Sequence, residues 1–197
     1  MKLIAGLFLI LYAAERIVET FWRRPKFPGK IVAPYSLPLI LIAYVSFYLI
    51  ILWDWFVMDD EQFSKVNCIL GATLVIASII GRNWSISSLG SYHSIHIEIR
   101  DQHVLVQSGP YKFVRNPYYL SNIIEAFGLP SIVNSGRAFM IVGLFYLPLL
   151  MHRLVTEERA LEGKFKASFA AYRTRVPSLI PRCLRRGTLE TVARDGK

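Results

Sequence analysis

Stretches of about twenty mostly apolar residues recur along this chain, each closed by charge, proline or glycine, and a bilayer is the solvent they suit. Leu3–Trp22 is the first, and Arg23-Arg24-Pro25-Lys26 ends it. Tyr35–Met58 is the second, ended by Asp59-Asp60-Glu61, and Val66–Ile80 the third, closed by Gly81-Arg82-Asn83. Pro117–Val133 is the fourth, opening on a proline that suits a first helical turn. After the turn Asn134-Ser135-Gly136 comes the fifth, Ala138–Met151. The last two are short and read as a helical hairpin. The expected fold class is therefore all-α integral membrane, with about five transmembrane helices. Lys2 followed by Leu3–Ala14 has the outline of a signal peptide, but no small-x-small cleavage site follows, so a retained first helix is expected.

Charge sets the expected orientation. Hydrophobic residues make up 53% of the 197 and charged residues 19%, yet the net charge is +9. The basic residues flank apolar stretches and form no groove-reading motif, which argues against a nucleic-acid binder. With the N-terminus outside, only Lys2, Arg16, Lys65 and Arg137 of the 23 lysines and arginines fall outside the inner segments. The positive-inside rule favours that topology. It puts residues 82–116 and the C-terminal part together on the cytosolic side. Within 82–116, Ser85–Ile99 reads as strand or extended chain. Thr156–Arg175, with Leu161, Phe165, Phe169 and Tyr172 at helical spacing, reads as an amphipathic helix on the membrane surface. The chain divides into a three-helix part (1–81), a cofactor-binding part with the hairpin (82–181) and a basic tail (182–197). Cys68 and Cys183 sit in unlike surroundings, and neither a disulfide nor a metal site is expected.

Two constellations can carry chemistry. In His103–Leu120, Gly109-Pro110 forces a turn that lets a ligand approach the backbone. Pro117 opens a helix whose free N–H groups favour an anion, and Arg115 adds a bidentate charge. Tyr111, Phe113, Tyr118 and Tyr119 suit a flat ring or a sulfonium. The same features also describe an interfacial loop with an aromatic belt. The second constellation is Arg153–Glu158: Arg153 and Glu157 are four apart and able to pair, and of two adjacent carboxylates one pairs while the other meets a ligand. A solvated helix start is the plain alternative. Glu125, mid-way in an apolar stretch, is a functional candidate or a structural partner of Arg16. His93 and His96 read as surface residues.

The order GPYxxVRxPxYL, an apolar hairpin, then RxxxEExxLxxxFxxxFxxYxxRVPxLIP resembles the isoprenylcysteine carboxyl methyltransferase family, over about Asn83–Pro181. Phospholipid N-methyltransferases share much of it. The resemblance implies methyl transfer from S-adenosyl-L-methionine, with S-adenosyl-L-homocysteine as product, to a lipid-like or prenylated acceptor that enters from the bilayer. It implies a cofactor site of His103, Val104, Leu105, Val106, Gly109, Pro110, Tyr111, Arg115, Asn116, Pro117, Tyr119, Glu157 and Glu158. Arg115, Asn116 and Glu158 would be the catalytic set, and Glu125, Arg153, Tyr172 and Arg175 would face the acceptor. The family's Arg-His-Pro is here Arg115-Asn116-Pro117, and asparagine carries no ionisable imidazole. Near the end, Ser178 stands where the family often has arginine. A phospholipid amine N-methyltransferase, a reductase-like relative and a non-catalytic membrane scaffold are the alternatives.

Overall fold

The computed structural model describes residues 2–22, 29–58, 63–99 and 104–181, and the chain is mostly helical. The helices are α1 (Lys2–Trp22), α2 (Ser36–Val57), α3 (Lys65–Leu89), α4 (Pro117–Ile132), α5 (Gly136–Ile141), α6 (Leu147–Phe165) and α7 (Ala167–Arg175). A π-helical turn, Val142–Tyr146, joins α5 to α6, so one rod runs from Gly136 to Phe165. Two short strands, β1 (Lys30–Ile31) and β2 (Glu98–Ile99), pair antiparallel and bring the loop before α2 to the segment after α3.

Three helical stretches are long and apolar enough to cross a membrane: Ser36–Val57, Lys65–Tyr92 and Gly136–Phe165. Large apolar side chains such as Ile42, Phe56, Leu70 and Leu144 point outward from them. Such a surface is costly in water and suits lipid, so the protein is read as an integral membrane protein. α1 carries Glu15, Arg16 and Glu19, and α4 has only 16 residues, which sets these two expected spans apart from the other three.

The expected hairpin is present, with Asn134 in the left-handed region at its turn (φ 51°), a conformation asparagine tolerates better than most residues. Three expectations change. α3 runs on to Leu89, so Ser85–Leu89 is helix rather than extended chain; only Glu98–Ile99 forms a strand. The second hairpin arm does not stop near Met151 but continues to Phe165. The expected helix Thr156–Arg175 is thus the end of that rod plus a separate α7, broken where Lys166 takes φ 43°.

Close backbone approach holds α3 against α4. A Cβ on Gly71 would lie 2.6 Å from the Gly128 carbonyl oxygen and 2.7 Å from the Ile132 nitrogen. Small residues at a helix crossing are the usual means of tight packing where lipid removes the hydrophobic drive. α1 hangs on α2 through polar handles: the Trp55 indole donates to the Lys2 carbonyl at 3.0 Å, the Tyr48 hydroxyl donates to the Leu9 carbonyl, and the Tyr12 and Tyr44 hydroxyls meet at 3.1 Å. At the far end of α2, Asp54 accepts from Ser135, which caps α5, and from Arg137.

The interior charge is centred on Arg82, which the sequence placed in a loop closing the third span. It sits inside α3 with no exposure at all. Its guanidinium reaches Glu15 at 2.8 Å and Glu19 at 2.5 Å on α1, and Glu125 on α4. Arg16 lies 3.0 Å from Glu19 and 3.6 Å from Glu125, with its guanidinium 5.2 Å over the Tyr44 ring. Removing one side of a buried ion pair costs about 3–5 kcal/mol. Arg82→Met is therefore expected to lower unfolding stability in detergent by about that amount. Adding Glu125→Gln should recover part of the loss; an unchanged melting temperature for Arg82→Met would contradict this account.

Candidate functional site

The loop before α4 turns at Gly109, whose φ of +59° lies in the left-handed region. A side chain there would run into Ser88, and Trp84 is 3.3 Å away, so the loop packs directly on the end of α3. A 3-10 turn, Gly109–Lys112, then buries Pro110 and Tyr111. The Tyr172 hydroxyl donates to the Tyr111 carbonyl at 2.6 Å, which fixes α7 over the turn. Burial pushes the Tyr172 phenol up to about 12 and the Tyr111 phenol well above its ordinary value, so both remain hydrogen-bond donors at neutral pH.

The next two residues form a clamp. Arg115 spans Glu158 with Nε and Nη2, both at 3.1 Å, and its Nη1 donates to the Val176 carbonyl at 2.7 Å. The Asn116 amide donates to Glu158 Oε1 at 2.6 Å and to Ser178 Oγ at 2.9 Å. The backbone N–H groups of Arg115 and Asn116 donate to the Pro177 and Ser178 carbonyls, at 2.8 and 3.0 Å. The loop, α6 and the chain after α7 are thereby tied at one point. Of the two glutamates, Glu158 is the one taken up by the protein. Glu157 is half-buried and accepts from the Tyr119 hydroxyl at 2.7 Å on one oxygen. Its other oxygen takes no hydrogen bond from the described residues.

These groups border one cavity of about 510 Å³. Its polar end is lined by Val104, Leu105, Val106, Tyr111, Arg115, Asn116, Tyr119, Glu157, Glu158 and Tyr172. From there it runs past Tyr118, Arg16 and Tyr146 into a cleft between α1 and α2, lined by Ala13, Ile17, Leu41, Val45 and Leu49. Ile17, Val45 and Leu49 are more than half exposed, so the cleft opens on the apolar outer surface.

Most sequence-predicted site residues meet at this cavity. Gly109, Pro110 and Pro117 shape the loop without lining it. Arg153 lines it but does not hydrogen-bond to Glu157, as expected from spacing; it donates to Ser36 Oγ at 3.2 Å and to the Ile95 carbonyl. Glu125 lies behind the wall, paired with Arg82 and with Arg16, which itself lines the cavity. Arg175 points away, to Gln107 at 3.2 Å. Phe113 is exposed near Trp84 rather than on the cavity. His103 lies outside the described residues. The sequence reading missed His93, read as a surface residue: it is buried and lines the cavity, with its ring 5.6 Å from that of Tyr118. Arg16, Tyr44 and Tyr146 were missed as lining groups as well. Their signal was weak, because polar residues within apolar stretches mark either packing or a pathway. Among the described residues, no group of three or more His, Cys, Asp or Glu is placed to hold a metal ion.

Comparison with known proteins matches residues 70–163 to the isoprenylcysteine carboxyl methyltransferase (ICMT) family. YpbQ of Bacillus subtilis, an uncharacterized protein, is 29% identical over 126 residues, which are 64% of this chain and 73% of its own length. CzcN of Cupriavidus metallidurans, a cobalt-zinc-cadmium resistance protein, is 30% identical over 63% of this chain and 53% of its own. The protein-S-isoprenylcysteine O-methyltransferase of Schizosaccharomyces pombe is 32% identical over 45% of this chain. That alignment spans only 38% of the yeast protein, and the one with CzcN about half of that relative. The family match ends at 163, so α7 and the Val176–Ser178 side of the clamp lie beyond it. Residues 70–163, which carry the Gly109–Tyr119 loop and the paired glutamates, are thus the part of the chain that is similar to the isoprenylcysteine carboxyl methyltransferase family.

Proposed function

We propose that this protein binds S-adenosyl-L-methionine at the polar end of the cavity and methylates a lipophilic acceptor that arrives through the α1–α2 cleft. The observation that carries this reading is the continuity of the two ends: half-buried carboxylates and aromatic rings at one, an apolar mouth on the outer surface at the other. A cavity of this size lies within the usual range for small-molecule sites, about 300–1,000 Å³. The residues present fit the cofactor. The uncommitted oxygen of Glu157 suits ribose hydroxyls or an amino group, and the 104–106 backbone suits an adenine edge. Tyr111, Tyr118 and Tyr119 offer ring faces to a sulfonium. When bound, that sulfonium supplies an already activated methyl group.

The protein's own work is then to position and to exclude water. Arg115, Asn116 and Glu158 act through their clamp, holding the loop and α7 closed over the site. Alignment of two reactants in this way is worth up to ~7–11 kcal/mol in favourable cases. The family match and the yeast relative's name support a prenylated or lipid-like acceptor. In the orientation we favour, the N-terminus is outside and the site faces the cytosol, which the distribution of Lys and Arg supports.

Titration calorimetry of the detergent-purified protein with S-adenosylhomocysteine tests this directly: saturable binding is expected, and its absence would remove the proposal. Glu157→Ala should weaken that binding by about 10- to 100-fold at unchanged melting temperature, the worth of a hydrogen bond to a charged group. Glu158→Ala should instead lower melting temperature and affinity together, since it opens the clamp. Val45→Trp, in the cleft, should raise KM for a long-chain acceptor several-fold and leave S-adenosylhomocysteine affinity alone.

A further inference from the structure

Methylating an oxygen or sulfur that still carries hydrogen releases a proton, and the clamp accounts for none of the groups able to take it. Glu158 is bound by Arg115, Asn116 and Ser178, and Glu157 accepts from Tyr119 on one oxygen while its other is assigned to the cofactor in the reading above. Position 116, where the family pattern has histidine, holds an asparagine.

The structure brings an imidazole to the same cavity from a different element. His93 follows the 3-10 turn Gly90–Tyr92 that ends α3, and its segment is held down by the Arg153 bond to the Ile95 carbonyl and by the β1–β2 pairing. It is buried, lines the cavity, and lies with its ring centroid 5.6 Å from that of Tyr118. Tyr118 and Tyr119 are neighbours in α4, with rings 6.4 Å apart, and Tyr119 bonds Glu157 at the polar end. His93 thus lines the same cavity as the polar end and the cleft, beside Tyr118. Behind it, the Tyr118 hydroxyl donates to Glu19 at 3.3 Å, in a cluster of three glutamates against Arg16 and Arg82.

Resting on the function proposed above, we infer that His93 is the general base for a hydroxyl or thiol acceptor. As the acceptor oxygen forms its bond to the methyl carbon, the S–C bond breaks with its pair returning to sulfur. The O–H pair stays on oxygen, and the His93 imidazole takes the proton. Histidine is suited to this step because its ordinary pKa lies near neutrality.

The test uses a long-chain nitrophenol, whose ionisation is visible by absorbance, bound to the full-length protein saturated with S-adenosylhomocysteine. Among the described residues, the charged and titratable groups on this part of the cavity and the elements packed against it are Tyr118 on α4, Arg16 and Glu19 on α1, Arg153 on α6, and Tyr92, His96 and Glu98 in the segment of His93 itself. The bound phenol should ionise at least one pH unit lower in the wild type than in His93→Gln, with S-adenosylhomocysteine affinity equal in the two. In turnover, His93→Gln should lose about 10²- to 10⁴-fold on weakly acidic phenols and progressively less on more acidic ones. Equal phenol ionisation in both proteins, or an equal loss across the series, would overturn the assignment. So would wild-type turnover confined to carboxylates. Should His93→Gln not bind S-adenosylhomocysteine, nitrogen-15 histidine spectra of the wild type decide: one imidazole must become imidazolium as the phenol binds, and none doing so overturns the inference. Failure of the wild type itself to bind S-adenosylhomocysteine would instead remove the underlying function.

Discussion

A guanidinium with no exposure, inside a helix that is apolar enough to cross a membrane, is tolerable only if carboxylates surround it. Arg82 meets that condition by drawing Glu15 and Glu19 from α1 and Glu125 from α4. The pairing fixes α1 against α3 and α4, and α1 supplies one wall of the cavity. A hydrophobic contact between the same helices would carry little preference for register, since lipid solvates such faces equally well. The charge cluster therefore specifies where α1 sits, and with it where the apolar mouth opens.

The second constraint is the clamp at Arg115, Asn116 and Glu158. It converts four separate pieces of chain into one enclosure: the loop after β2, the start of α4, the end of α6, and the segment following α7. The family-matched segment contains three of these pieces, while the fourth, Val176–Ser178, lies past its end. Enclosure keeps water from competing with a bound molecule for position and from solvating charged groups. The choice of Glu158 rather than Glu157 as the clamping carboxylate follows from helix geometry: adjacent residues on a helix project about 100° apart, so only one can face Arg115. The other is left facing the cavity beside Tyr119.

Much of this was legible in the sequence. Apolar stretches, turn residues and the Pro117 helix start gave the hairpin and the helical character, because lipid solvation imposes a coarse and local rule. The spacing of the Gly109–Tyr119 and Arg153–Glu158 motifs pointed to the loop and helix that now share a cavity. What escaped was tertiary. Arg82 reads as the charged end of a span, and nothing in its neighbours reveals that three glutamates from two other helices reach it. His93 follows Gly90-Ser91-Tyr92 in a polar stretch, and its contacts come from Tyr118 and from Arg153 holding Ile95. The expected Arg153–Glu157 pair was a fair local inference that lost to partners on α2 and the 93–97 segment.

The central claim is that the Val104–Tyr119 loop and the Glu157 end of α6 close around a single small molecule. Photo-crosslinking with an S-adenosylmethionine analogue carrying a photoreactive group on its adenine, followed by peptide mapping, tests it most directly. Adducts should fall on both segments and disappear together when S-adenosylhomocysteine is added in excess. Adducts on only one segment, or labelling that the competitor leaves in place, would contradict the account.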